Sequence, residues 1–283
     1  MQLTKYSQLI INVLNSVKGA VGLGIIVCFS LFPFLRPLIT KYPPEAVGVG
    51  APNQPPSSLH PFGTTSLGQD VLSQFLTGGL IPIEVGILTG ILTSILVIVI
   101  GIPAGYYAAK YSGKFLTLIT DIFLLIPALP LIILLGVYLG PSLLNQVLVL
   151  TLISWPFPAR VVASQVMSLK ERGFILSAKV IGASDTGIMF NEILPNVINL
   201  IISNSILVII FAILFQAALS FLGLGVPTQP NWGNMLYYAL QSGAIASGEW
   251  WWVLPPGIGI FMVAFAFSLL FLRLEEVLGL EVS

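Results

Sequence analysis

This chain carries almost nothing with which to do chemistry by itself. It holds one cysteine, Cys28, and one histidine, His60, in 283 residues. A lone cysteine inside an apolar run excludes a disulfide framework and a thiolate metal cluster. A lone histidine excludes a two-histidine zinc or haem site built within the chain. Charge is equally sparse: 8% of residues are Asp, Glu, Lys or Arg, against about 25% in a soluble domain. Such a chain cannot cover a water-exposed surface with polar groups. Its net charge of zero speaks against nucleic acid as a partner. No G-x-x-x-x-G-K-[ST] segment occurs, so no phosphate-cradling loop is available for ATP. Gly223 and Gly225 resemble half a dinucleotide fingerprint, but they follow an apolar span and lack the third glycine.

What the chain does have is apolar length. Hydrophobic residues make up 56% of it, and the mean hydropathy is +0.99. Six stretches reach the roughly 20 residues a helix needs to cross a bilayer: Val17–Leu38, Gly79–Ala108, Phe115–Leu139, Leu143–Ala163, Asn196–Leu224 and Trp251–Leu272. The expected fold is an all-α integral membrane protein of about six transmembrane helices. The second and fifth stretches are long enough to tilt or to extend past the membrane. Several spans carry prolines, including Pro33, Pro103, Pro127, Pro130, Pro156 and Pro158. These kink a helix, and neighbouring helices can re-satisfy the freed backbone groups; packing and hinge roles are both open for them. The first span follows Lys5 and Lys18 but ends in FPFLRPL, with no small-residue cleavage site, and reads as an uncleaved anchor.

Basic residues orient the spans. With the N-terminus in the cytoplasm, Lys5, Lys18, Lys110, Lys114, Arg160, Lys170, Arg172, Lys179 and Arg273 fall inside, and only Arg36 and Lys41 fall outside. Both termini are therefore expected in the cytoplasm, in a multi-pass protein of the cell membrane. The expected organisation is an N-terminal tail and first helix over 1–45, an external loop with a surface helix over 46–78, a core over 79–275 and a cytoplasmic tail over 276–283. In the external loop, Leu67, Val71, Leu72, Phe75 and Leu76 recur at helical spacing behind capping residues, which predicts a helix along the outer surface. His60 there reads as a residue that structures the loop. Glu84 and Asp121 lie near span ends, so the spans offer no convincing coupling group for a proton- or ion-driven carrier.

The charged residues concentrate between the fourth and fifth spans. Of 22 Asp, Glu, Lys and Arg residues, six fall in Lys170–Pro195 (Lys170, Glu171, Arg172, Lys179, Asp185 and Glu192), with Arg160 just before. Within the loop 164–195, Phe174, Ala178 and Ile181 share a helical face opposite Lys179. Gly182 breaks the run, and Ser184 or Asp185 can cap a second short helix through Ile188, Met189 and Ile193. Pro195 stops that helix or kinks it into the next span. The spacing predicts two short helices lying on the cytoplasmic surface, either as a docking surface for a soluble partner or as a partnerless interfacial hairpin. Mixed charges favour docking, because membrane-surface helices are mostly basic. In the fifth span, Asn196, Asn199 and Ser203 share one face. They serve either as interhelical hydrogen-bonding groups or as the wall of a polar passage suited to a neutral or zwitterionic solute.

The segment KERGFILSAKVIGASDTGIMFNEILPN resembles the cytoplasmic coupling loop of permeases in binding-protein-dependent ABC importers. That loop reads Glu-Ala-Ala, three residues, Gly, then a segment ending in Leu-Pro. Ala178, Gly182, Leu194 and Pro195 match, and Leu176 and Ser177 replace the Glu and first Ala. HPFGTTSLGQDVLSQFLTG from His60, GPSLLNQVLVLTLISWPFPARVVASQVMSLKER and LSFLGLGVPTQPNWGNML from Leu219 resemble the second permease of dipeptide and oligopeptide importers, in the right order over residues 60–272. Gln69 and Leu80 stand where that subfamily has arginines, and the tail LRLEEVLGLEVS lacks its usual ending.

The resemblance implies a type I importer permease fold. It implies a related second permease, two ABC ATPase subunits that receive the loop, and an extracytoplasmic solute-binding protein. It implies that ATP and Mg are bound by the ATPases, so this chain needs no cofactor or metal and has no catalytic residue. Loop residues implied to meet the ATPase are Lys170, Glu171, Ala178, Gly182, Ala183, Ser184, Asp185, Leu194 and Pro195; the passage falls to Asn196, Asn199 and Ser203. Peptides are the expected cargo, with oligosaccharides or another small solute as the alternative. A secondary transporter, channel or membrane enzyme lacks, respectively, coupling groups, a filter ring and clustered titratable residues.

Overall fold

A computed structural model describes residues 12–278; Lys5 and the last five positions of the expected tail lie outside them. Among the described residues the fold is helical, and its one β feature is a bridge between Thr64 and Asp70. In chain order the elements are α1 (Val17–Ile39), α2 (Val71–Tyr106), α3 (Tyr111–Leu125), α4 (Ala128–Leu139), α5 (Leu143–Ser154), α6 (Pro156–Lys170), α7 (Gly173–Val180), α8 (Asp185–Leu224), α9 (Trp232–Gln241) and α10 (Trp250–Leu278). Four of them, α1, α2, α8 and α10, are long and apolar enough to cross a membrane alone. The bent pairs α3–α4 and α5–α6 bring the number to six when each pair is one span.

Proline places both bends. Helices α3 and α4 meet at 87°, and Ile126 before Pro127 is extended, with φ −76° and ψ 124°. Proline disfavours the helical conformation in the residue that precedes it. Helices α5 and α6 meet at 41° at Trp155–Pro156, where the ring leaves no N–H to continue the ladder.

Two helices outgrow the spans read from the sequence. Helix α2 has 36 residues, about 54 Å at 1.5 Å per residue, against a hydrocarbon core of about 30 Å. The segment Val71–Leu76, expected as a separate surface helix, forms the first turns of this long helix. Asp70 caps it by accepting from the Ser73 N–H at 2.8 Å. The carboxylate of Asp70 also meets His60 Nδ1 at 2.9 Å, and the Tyr42 ring stacks on His60 with centroids 4.9 Å apart. His60 and Asp70 are both buried, so the histidine ties the loop between α1 and α2 to the head of α2. Helix α8 has 40 residues and passes through Pro195 without stopping. The turn just before it, Ile188–Ile193, is π-helical, an adjustment that lets a proline sit inside a membrane helix.

Glycines set the closest packing. Helix α8 lies against α2 and α10, and α1 lies along α10. A Cβ at Gly86 or Gly90 of α2 would come 2.8 Å from Ile213 or 2.6 Å from Ile209 of α8. Four residues apart, the two glycines let the helices approach as small residues do in membranes. Gly101 and Gly105 repeat the spacing further along α2, against the backbone of Ala159 and Ala163 on α6. At the same end of the molecule, Lys18 of α1 pairs with Glu276 of α10, and Arg273 holds Glu276 at 3.0 Å.

Candidate functional site

The charged loop leaves α6 at Lys170 and turns through an extended Arg172, φ −73° and ψ 144°, into α7. Helix α7 ends in a glycine cap. Gly182 adopts φ +85°, its N–H donates to the Lys179 carbonyl, and the Ala183 N–H donates to the Ala178 carbonyl, both at 3.0 Å. This pair of bonds satisfies the last carbonyls of the helix and requires a left-handed residue between them. Ser184 then caps α8 by accepting from the Gly187 N–H at 3.1 Å. The first short helix and its glycine break are thus as the sequence implies, whereas the second is the start of α8 itself.

One face of α7 is anchored. Ile175 and Ala178 are buried in a cluster with Val162 and Val166 of α6 and Ile188 and Ile193 of α8. Ala178 therefore faces inward with Ile175. Ile181, expected to share its face, lies past the end of the helix and is 84% exposed, beside Val180 at 87%. Val180 and Ile181 thus make an apolar tip beside Gly182, and Phe174 and Leu176 are exposed as well at the start of α7.

Tyr106, the last residue of α2, fixes this tip to the bundle. Its hydroxyl donates to the Asp185 carboxylate at 2.7 Å. The ammonium groups of Lys170 and Lys179 sit 5.5 and 5.4 Å from its ring centroid, within cation–π range. Lys110 reaches Asp185 at 3.7 Å. Tyr106 is 2% exposed, so α2, α6, α7 and α8 meet at one buried ring. Sequence reading picked out Lys170 and Asp185 but missed Tyr106. Its only signal was two tyrosines ending an apolar span beside Lys110. Of the remaining loop residues, Glu171, Ala183 and Ser184 are exposed, and Leu194 and Pro195 are half-buried along α8.

Further into the bundle, two cavities stack along α6 and α8. One, of about 350 Å³, is bordered by Ala128, Ser154, Phe157, Pro158 and Asn204 among others. It touches both helix breaks: Ala128 directly follows the α3–α4 bend, and Ser154 and Pro158 flank the α5–α6 bend. The second, of about 470 Å³, is bordered by Phe157, Arg160, Val161, Ser164, Gln165 and Leu200. Phe157 borders both, and Leu200 and Asn204 are one turn apart on α8, so the two adjoin as a groove along α6 and α8. Asn196 lies one further turn along the same row, exposed, with its amide donating to the Glu192 carbonyl. Asn199 is half-buried, and Ser203 is buried at 3% exposure. Neither borders the groove, which is lined instead by the adjacent row through Asn204. The Asn204 amide donates back to the Leu200 carbonyl at 2.8 Å.

No group of three or more His, Cys, Asp or Glu side chains able to hold a metal occurs among the described residues. Neither the loop nor the groove assembles a nucleophile with a base. What the loop offers is an exposed apolar tip joined through buried side chains to α6 and α8, the two helices that border the groove.

Residues 74–279 match the family described as the binding-protein-dependent transport system inner membrane component. The chain is 35% identical to the dipeptide transport system permease protein DppC of Alkalihalophilus pseudofirmus, over 88% of this chain and 81% of that protein. It is 33% identical to a putative peptide transport system permease protein of Brucella suis biovar 1, over 91% and 86% of the two chains. A putative peptide permease protein from the same organism is 30% identical, over 80% of this chain and 75% of that one. The match spans most of the chain, and the helical fold with four to six candidate spans is that of a type I ABC permease; the chain belongs to the family of binding-protein-dependent transport system inner membrane components.

Proposed function

We propose that this chain is one of two related permeases in an ATP-driven importer of peptides, and that it forms half of the translocation path and couples it to two ATPase subunits. The observation that carries the reading is the exposed apolar tip Val180–Ile181–Gly182, held by the glycine cap and, through Asp185, by Tyr106. A soluble protein must cover such a tip, because Val and Ile at over 80% exposure cost free energy in water. The nine-to-two distribution of basic residues puts the loop and both termini in the cytoplasm on this reading, where ATPases are found. ATP and Mg are bound by those partners, since the chain has no nucleotide loop of its own, and the chain performs no catalysis. An extracytoplasmic binding protein delivers the solute to the opposite face. Peptide cargo follows the names of the relatives; the uncharged hydroxyl and amide of Ser154 and Asn204 suit a peptide backbone.

The test is a single cysteine. Ile181→Cys in a Cys28→Ser background should crosslink to an ATPase subunit when all partners are co-expressed, and the crosslink should change with ATP and vanadate. Crosslinking to the binding protein instead would invert the topology and overturn the reading.

A further inference from the structure

Arg160 is the one charged side chain bordering the groove. It lies ten residues before Lys170 at the end of α6, and its partner Asp121 lies ten residues after Tyr111 at the start of α3. Both are therefore about 15 Å from the coupling-loop ends of their helices and inside the candidate spans α3–α4 and α5–α6, not near a span end as the sequence suggests for Asp121; without Arg160 the basic residues still divide eight to two. The guanidinium Nη1 donates to Asp121 Oδ1 at 2.9 Å. That is one of the five N–H donors an arginine carries, so the fork is only part used. Arg160 borders the groove while Asp121 holds it from the side of α3; neither is buried, the Arg160 side chain being 64% exposed and that of Asp121 41%. Ser164 and Gln165 continue the polar wall one turn beyond. Ionisable groups at membrane depth are costly and mark solute paths where they face a cavity.

We propose that Arg160 is a cargo-binding residue that takes the carboxylate of the passing solute, which on the peptide reading given above is the C-terminal carboxylate. The planar fork receives a carboxylate through two parallel hydrogen bonds. Asp121 supplies the other half of the device. It holds the guanidinium against the wall when the path is empty and offsets its charge there. It competes for the same donors when cargo is bound, so the carboxylate is released and does not stay as a trapped ion pair. A path must bind its solute tightly enough to admit it and loosely enough to let it go. Opposite effects of the two residues follow: losing Arg160 removes the preference for an acid, and losing Asp121 slows release.

The experiment uses the complete complex, with binding protein, both permeases and both ATPases, in proteoliposomes. The probes are tri-alanine and its C-terminal amide, and the readout is the ratio of their import rates. The ratio is compared between variants because the binding protein is common to all. Wild type should favour the free acid, and Arg160→Gln should lower the ratio about tenfold, as loss of a charge-assisted pair implies. Arg160→Lys, which keeps the charge without the fork, should fall between them. Asp121→Asn should keep the ratio and lower the maximal rate. An unchanged ratio in Arg160→Gln overturns the assignment while leaving the peptide importer standing. Import of neither probe by the wild-type complex overturns the peptide reading and this assignment with it. Failure of all three variants to assemble would make the pair a structural clasp between α3 and α6, and would equally overturn the proposal.

Discussion

The most direct perturbation of the coupling loop is a graded replacement of Gly182. Its φ is +85°, and no atom outside its chain neighbours lies within 4 Å of where a Cβ would stand. A side chain there meets no steric obstacle, so the whole effect is on the backbone. An L-residue in the left-handed region costs about 1–2 kcal/mol, asparagine less because it visits that region more readily, and a β-branched residue up to about 3 kcal/mol. At 1.36 kcal/mol per factor of ten, alanine should depopulate the docking-competent loop about 5- to 30-fold, and valine up to about 150-fold. The apparent affinity for the partner falls by the same fraction. The apolar spans are untouched, so membrane insertion should be normal. The assay is solute-stimulated ATP hydrolysis by the reconstituted complex, titrated with ATPase subunit. Half-maximal stimulation should shift in the order Gly, Asn, Ala, Val. Equal stimulation by all four, at equal permease yield, would refute the reasoning, because the cap would then not set the shape that docks.

Tyr106→Phe removes the hydroxyl that holds Asp185 and leaves the ring beneath Lys170 and Lys179. Asp185 is 45% exposed, so the loss should be about 1 kcal/mol and should appear as a several-fold drop in solute-stimulated ATPase at unchanged basal rate; an unchanged ratio would remove Tyr106 from the lever. His60→Ala leaves a buried Asp70 without its partner, at about 1–3 kcal/mol, and should lower the melting temperature and yield of the complex. Transport lost from a fully assembled, binding-protein-competent His60→Ala complex would instead give the histidine a direct role. In a Cys28→Ser background, cysteines at Ser58 and Ser247 should react with an impermeant thiol reagent from outside, and those at Ser168 and Ser184 only once the membrane is opened; labelling of the Ser184 position in intact cells would reverse the orientation. Both residues are buried, but Asn204 borders the groove and Ser203 does not, so Asn204→Leu should cut transport at normal yield and Ser203→Leu should cut yield; the opposite pattern would return the path to the Asn196–Asn199–Ser203 face.

Much of the fold is legible in the sequence because the signals are local. Twenty-residue apolar runs, the prolines at 127 and 156 and the glycine at 182 each constrain a few adjacent residues, and each is found in the structure as a span, a bend or a cap. Legibility fails where the outcome depends on which neighbour a helix meets. The face of α7 is set by Val162, Val166, Ile188 and Ile193 drawing in Ile175 with Ala178, and periodicity alone grouped Ala178 with Phe174 and Ile181. The row of α8 that faces the groove is separated from the row at Asn199 and Ser203 by one residue, about 100° of rotation. Polar spacing cannot distinguish two such rows when both carry an asparagine. Pro195 misleads for a similar reason: its cost depends on the turn before it, and a π-helical turn absorbs it.

These details bear on how a push at the loop reaches the groove. The cluster that holds α7 contains Val162 and Val166 of α6 and Ile193 and Val197 of α8. The groove walls are residues of the same two helices one to three turns on: Phe157 and Arg160 of α6, and Leu200 and Asn204 of α8. No flexible linker intervenes, so a displacement of the tip is carried along α6 and α8 as nearly rigid rods. Compliance lies beyond the groove, where α6 gives way to α5 at the 41° bend and α3 to α4 at the 87° bend. A loop driven toward or away from the membrane should therefore tilt the lower parts of α6 and α8 against α5 and α4, opening or closing the space at Ala128, Ser154 and Pro158. Tyr106 extends the same connection to α2, which is bound to α6 through Gly101 and Gly105 and to α8 through Gly86 and Gly90. On the importer reading proposed above, helices α2, α6 and α8 should move as one body, with the proline bends as the hinges about which it turns.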